Sequence, residues 1–241
     1  MNFKNYINRR KNQKYFCTNS RIPFYNIAKD YIPEDAVDFK ILDIGVGKGE
    51  FAAHINLLDY SNMFQIEGNL NTVELLKKKY PNILHLELPN RIPLESNSLN
   101  LIHSSHLVEH LNHKGLFEVL QEMNRLLVEN GILVLSAPML SDFFYDDLSH
   151  IKPYNPVVFI NYLSAIERQA SNKAIADNYV VERLQYRYGE YDVRGNEDEG
   201  VFSHYYLIDF VIRVRNLFVK WLKIKAYKRT GYTLVLRKRV S

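Results

Sequence analysis

The chain has 241 residues, 46% of them hydrophobic, enough to build one α/β domain with an appendage. Its single cysteine, Cys17, excludes an internal disulfide framework and a cysteine-rich zinc site. No apolar run reaches the length of a membrane span, and the basic start (MNFKNYINRRKNQK) lacks the apolar core of a secretory signal, so a cytoplasmic protein is expected. The net charge of +4 hides an uneven distribution. Met1–Lys29 carries seven Lys/Arg and no acid, and Phe210–Ser241 carries ten and no acid, leaving all 27 acids to the middle. Basic ends on an acidic body suit either an anionic partner or simply solvated tails.

In chain order, Ile22–Tyr31 reads as a short lead helix, which closes a basic segment of residues 1–38. Phe39–Ile44 (FKILDI) is a buried strand entering a glycine turn, followed by a helix over Glu50–Leu58. Asn62–Ile66 is a strand, Thr72–Tyr80 a helix stopped at Pro81, and Ile83–Leu88 a third strand. Leu99–Ser104 is a fourth strand, Leu116–Val128 a helix and Ile132–Ala137 a fifth strand. Then come a helix over Pro156–Ser171, a strand over Tyr179–Tyr188, a charged loop over Gly189–Gly200, and a last strand at Thr233–Arg237. Strands and helices alternating at short intervals predict a doubly wound, Rossmann-like α/β fold over residues 39–241. The expected sheet has seven mostly parallel strands, with the C-terminal one antiparallel.

Residues 203–228 hold an inserted basic amphipathic helix. Leu207, Phe210, Val211, Val214, Leu217, Phe218, Trp221 and Ile224 recur at helical spacing opposite Arg213, Lys220 and Lys223. Such a stripe is either core or a face for an anionic membrane surface.

The strongest local signal is Leu42-Asp43-Ile44-Gly45-Val46-Gly47-Lys48-Gly49-Glu50. Alternate glycines after a strand let the backbone turn sharply and approach a ligand where a Cβ would collide. Position 50 is Glu, so the G-x-G-x-x-G dinucleotide pattern fails, and no G-K-[ST] follows for a phosphate loop. Asp43, two residues before Gly45, favours a cationic ligand over a pyrophosphate. Glu67 closes the second strand, where a carboxylate accepts the two hydrogen bonds of a ribose diol.

With Ile92-Pro93-Leu94-Glu95-Ser96-Asn97-Ser98-Leu99 and His106-Leu107-Val108-Glu109-His110-Leu111 added, residues 39–140 resemble the class I S-adenosylmethionine (SAM)-dependent methyltransferases. Within that family the similarity is to the group holding quinone and glycan methyltransferases. The resemblance implies SAM as cofactor, S-adenosylhomocysteine (SAH) as product, the loop of Gly45, Gly47 and Gly49 as SAM cradle, and Glu67 as ribose ligand. Ser104, at the end of the fourth strand, joins the cofactor set. The family's adenine-contacting acid precedes the "LP" proline by four residues; here that position is Pro89, and Glu87 is the nearby acid. The chain also departs at Asn100, where the family has Asp, and at Gly68-Asn69 after Glu67.

Methyl transfer needs an aligned acceptor, a proton sink and exclusion of water. His106 and His110, with Glu109 beside them, follow the fourth strand at the carboxyl edge, where such sheets bind ligands. The segment Asp147-Leu148-Ser149-His150-Ile151-Lys152-Pro153-Tyr154-Asn155-Pro156 resembles one in methyltransferases of surface-polysaccharide gene clusters, and makes His150 the first choice for base or acceptor ligand. No metal ligand set is assigned. The implied activity is O-methylation of a sugar, a lipid-linked glycan or another small molecule, with peripheral contact at the inner face of an anionic membrane. A quinone or small-aromatic acceptor, and a catalytically silent SAM- or partner-binding protein, are the rivals. Nucleic acid is disfavoured, because Ser104-Ser105-His106-Leu107 stands where a base-flipping N-P-P-Y motif would be.

Overall fold

The computed structural model describes residues 16–35, 38–57, 59–141, 143–164, 174–191 and 226–240, together with 210, 211, 214, 215, 217, 218 and 221. The chain divides into two compact units. One comprises residues 20–187 and 230–241; the other comprises 1–19 and 188–229.

The larger unit is built on a seven-stranded sheet of order β3-β2-β1-β4-β5-β7-β6. The strands are β1 (Ile41–Ile44), β2 (Met63–Glu67), β3 (Ile83–His85), β4 (Leu99–Ser105), β5 (Leu127–Pro138), β6 (Tyr179–Tyr191) and β7 (Ala226–Lys238). The pairs β1–β2, β1–β4, β2–β3 and β4–β5 are parallel, and β5–β7 is antiparallel. Contacts of Asn178 with Arg239 and of Glu182 with Arg237 run in opposite chain directions, so β6 is antiparallel to β7. The expected fold class is therefore what the chain adopts, with β7 slotted between β5 and β6.

β1 is buried at all four positions, as a strand covered on both faces must be. Its helices are α1 (Ile22–Lys29), α2 (Glu50–Ile55), α3 (Leu70–Lys77), α4 (His113–Leu126) and α5 (Pro156–Leu163). In α4 the buried residues Leu116, Val119, Leu120, Met123 and Leu126 repeat at helical spacing and meet the sheet's core. Asn112 caps that helix by accepting from the Gly115 amide at 2.9 Å, which starts it three residues earlier than hydrophobic periodicity predicts. Asn69 does the same for α3, accepting from Thr72 N.

Other boundaries also move. α2 stops at Ile55 because Asn56 takes a left-handed φ of 48°. β3 ends at His85 rather than Leu88. Leu127 and Val128, read as helix, belong to β5, where Leu127 pairs with Leu99 before a register shift at Leu101. α5 ends at Leu163, and the rest of its predicted span to Ser171 lies largely outside the described residues. The loop expected from Gly189 is strand as far as Tyr191; residues 192–200 lie outside the described set. Ala226 and Tyr227, expected to end the amphipathic helix, open β7 instead. Residues 210, 211, 214, 215, 217, 218 and 221 of that predicted span are helical, and Phe210, Val211, Val214, Leu217, Phe218 and Trp221 are all exposed.

Arg125 fixes the 91–98 segment to α4. Its guanidinium grips Glu122 through two hydrogen bonds of 3.0 and 2.7 Å, and donates to the carbonyls of Leu94 and Ile92. The Arg125 hydrogen bond, the largest cause, holds the Glu122 carboxyl below its ordinary value of 4.5. The pair's stabilisation is therefore present above the ordinary carboxylate range and lost as pH falls through and below it. Arg125→Ala is expected to cost about 1–2 kcal/mol at pH 7. Urea unfolding at pH 7 and pH 3 checks this, because the gap between wild type and variant should shrink at the lower pH.

Candidate functional site

β1 pairs with both β2 and β4, so the chain leaves β1 in opposite directions and opens a crevice at its carboxyl end. The loop that follows carries three positive-φ glycines: Gly45 at 76°, Gly47 at 53° and Gly49 at 74°. Gly45 N donates to the carbonyl of Ile66, tying the loop to β2. A Cβ on Gly45 would meet Leu107 Cδ1 at 3.3 Å, so the chain after β4 closes directly on the loop. A Cβ on Gly47 would meet nothing within 4 Å. That open space above the loop is where a ligand's main body fits.

Glu67 stands at the tip of β2. Its Oε2 accepts from Gly47 N at 2.9 Å and its Oε1 from Asn69 N at 3.0 Å. Two backbone donors hold the carboxylate in one orientation while each oxygen keeps a further lone pair for a diol. Ser104, 2% exposed at the end of β4, has a buried Oγ without a hydrogen-bond partner. It lies in register with Ile44 and Leu135, both core residues. Glu87 lies exposed in the loop beyond β3.

Asp43 is placed differently from the sequence expectation. It is 1% exposed, and its Oδ1 lies 2.7 Å from Nδ1 of His103, its in-register neighbour on β4. His103 in turn stacks on Phe51 of α2 with ring centroids 3.7 Å apart. The carboxylate is thus sealed beneath the glycine loop, where it joins β1, β4 and α2, and offers no oxygen to open space. His103 itself escaped sequence reasoning, since its partner lies sixty residues away and only strand pairing reveals it.

On the other side of the crevice the four predicted acceptor-side residues come together. Val108–His110 forms a 3₁₀ turn after β4. Segment 147–155 lies on that turn: the amides of Ile151 and Lys152 donate to the Glu109 carbonyl at 2.8 and 3.2 Å. Tyr154 adds a bond to the Leu111 carbonyl, and Tyr232 of β7 bonds the Tyr154 carbonyl. These ties carry His150 to His110, with ring centroids 4.9 Å apart.

His106 adopts a left-handed φ of 56°, strained for a residue with a Cβ. Its Nε2 lies 3.2 Å from the Arg187 guanidinium, and its Nδ1 lies 3.1 Å from Oε1 of the buried Glu109. Arginine only donates, so Nε2 accepts and Nδ1 carries the proton toward Glu109. Burial, the largest cause, keeps the His106 pKa below its ordinary 6.5 against the opposing pull of Glu109.

Residues 42–135 match the family model described as a methyltransferase domain. That stretch resembles a methyltransferase domain. Two curated demethylmenaquinone methyltransferases are similar to it. The one from Chlorobaculum parvum is 25% identical over 149 residues, 58% of this chain and 56% of the relative. The one from Chlorobaculum tepidum is 26% identical over 102 residues, 42% of this chain and 41% of the relative. The chain thus spans about half the length of the curated relatives it matches. Among solved structures, a SAM-dependent methyltransferase from Archaeoglobus fulgidus superposes with a TM-score of 0.56 at 21% identity, over 91% of this chain and 95% of that one. The YcgJ protein from Bacillus subtilis gives 0.52 at 14% identity, over 90% and 98%. These two likenesses establish the fold of the methyltransferase domain. The glycine loop, Glu67 and Ser104 all lie within the matched residues, as do His106, Glu109 and His110; His150 lies beyond them.

Proposed function

We propose that the chain transfers the methyl group of SAM to a hydroxyl of a sugar or lipid-linked glycan. The observation that carries the cofactor half is the open space over Gly47, beside the held carboxylate of Glu67. Bound SAM supplies a methyl on a positively charged sulfur, already a good leaving group. Glu67 takes the ribose diol, the glycine backbone lies against the amino-acid end, and Glu87 or nearby backbone takes the adenine. Asp43 holds the loop from below rather than touching the ligand.

The acceptor's hydroxyl sits against the Nε2 atoms of His110 and His150. His106, bonded to Arg187 and 3.1 Å from Glu109, positions that edge of the site. The exposed apolar side chains of 210–221, in a C-terminal stretch with ten Lys/Arg and no acid, favour an amphipathic, anionic acceptor met at the inner membrane surface. The similarity to two demethylmenaquinone methyltransferases favours a second reading, a quinone ring as acceptor.

Calorimetric titration with SAM and SAH tests the cofactor assignment. Micromolar binding is expected, weakened about tenfold or more in Glu67→Ala, which removes both diol acceptors. Folded protein that binds neither nucleoside would overturn it. Incubation with methyl-labelled SAM and either lipid-linked sugars or demethylated quinols then separates the two acceptors by where the label appears.

A further inference from the structure

Among the described residues, Glu109, His110 and His150 bring one ligand atom each to within 4.8 Å of one another. The histidines are oriented for it. Nδ1 of His110 lies 3.1 Å from the Ser149 carbonyl, and Nδ1 of His150 lies 2.6 Å from the Phe144 carbonyl. A carbonyl only accepts, so both Nδ1 atoms carry the proton and both Nε2 atoms keep a lone pair. This is the arrangement by which backbone carbonyls steer imidazoles onto a metal.

Glu109 supplies the charge. Its side chain is 1% exposed, its Oε1 lies 3.1 Å from Nδ1 of His106, and neither oxygen has a hydrogen-bond partner among the described residues. A buried carboxylate oxygen without a donor is costly unless a cation meets it. Asp147 Oδ2, 3.9 Å from His150 Nε2, is a further carboxylate at the rim.

We propose that Glu109, His110 and His150 bind a divalent transition-metal ion, through Oε2 and the two Nε2 atoms. Two imidazoles and one carboxylate suit Zn²⁺ and its neighbours, whereas Mg²⁺ and Ca²⁺ prefer oxygens throughout. Three protein ligands leave a fourth position open, as in catalytic sites. Bonds of about 2.0 Å put tetrahedral ligands roughly 3.3 Å apart, so side-chain rotation must draw the set inward by about 1 Å. The cluster begins two residues after Leu107, whose side chain lies against Gly45 of the glycine loop.

The ion's role rests on the methyl-transfer reading; its binding does not. An acceptor hydroxyl in the open position is acidified by the ion and loses its proton to water. The new O–CH3 bond forms as the S–CH3 bond breaks, and the electron pair stays on sulfur, giving SAH. The imidazoles then act as ligands rather than as free bases.

The test uses tag-free, chelator-stripped full-length protein titrated with Co²⁺ and Zn²⁺, without SAM. One Co²⁺ per chain is expected, with visible bands of a low-coordinate His-containing site, displaced by Zn²⁺ with a Kd below about 10 μM. His110→Ala, His150→Ala and the isosteric Glu109→Gln should each weaken binding at least about tenfold, while His113→Ala, on the exposed start of α4, should not. Absence of Co²⁺ and Zn²⁺ binding by folded protein would overturn the proposal, as would binding that survives the double variant His110→Ala/His150→Ala. A SAH titration on the same sample separates the two readings. Metal bound without SAH sinks only the methyltransferase assignment, and SAH bound without metal sinks only this site.

Discussion

Gly47→Trp is expected to lower SAH affinity by at least ~100-fold, about 2.7 kcal/mol, while leaving the domain folded. The two effects separate because of what surrounds the position. Beyond its chain neighbours, no described atom lies within 4 Å of a Cβ built there, so a side chain at this position starts into open space. The left-handed φ of 53° costs a residue with a Cβ roughly 1–2 kcal/mol, a fall of a few degrees in Tm for a domain of this size. The ring then occupies the space above the loop. Gly45→Val behaves otherwise: its Cβ presses on Leu107 at 3.3 Å, so it loses stability and binding together. Thermal melts with and without SAH resolve both variants. A Gly47→Trp protein that keeps wild-type affinity would show that the ligand does not lie over this loop.

The second large effect is on stability. Asp43→Ala is expected to cost about 3 kcal/mol, because it leaves His103 buried without its 2.7 Å partner. A Tm fall of roughly 6–12 °C corresponds to that loss. His103→Ala costs at least as much, since it also removes the stack on Phe51. The double variant should cost less than the two singles together by at least ~1 kcal/mol, because the second removal leaves no orphan. The stacking loss occurs in both arms of that cycle and cancels. Additive losses would mean the pair contributes no coupling, and Asp43 would need another role. Because Asp43 supports the loop, SAH affinity should fall in Asp43→Ala far less than in Gly47→Trp.

Much of this was legible in the sequence for definite physical reasons. A strand buried on both faces must be continuously apolar, so FKILDI and ILVLSA announced β1 and β5. Alternating glycines have few uses other than a tight turn against a ligand, so Gly45, Gly47 and Gly49 named the loop. Glu67 followed from its place at a strand end. The ends of elements were read less well, because caps and left-handed residues such as Asn112, Asn69 and Asn56 act on backbone groups that hydrophobic periodicity does not register.

Only the tertiary structure decided what the polar residues do. Asp43 was legible as a carboxylate before the glycines, but only the in-register pairing of β1 and β4 put His103 against it. His106, Glu109 and His110 follow the fourth strand closely in sequence, but a 3₁₀ turn over Val108–His110 and a left-handed φ at His106 put His106 Nε2 3.2 Å from Arg187. His150, forty residues further on, was carried to His110 and Glu109 by backbone bonds from Ile151 and Lys152 that no side-chain pattern encodes. Sequence determines which residues are apolar, and thereby the sheet and its crevice. Which carboxylate or imidazole reaches open space depends on hydrogen bonds between distant segments, and those exist only once the chain has folded.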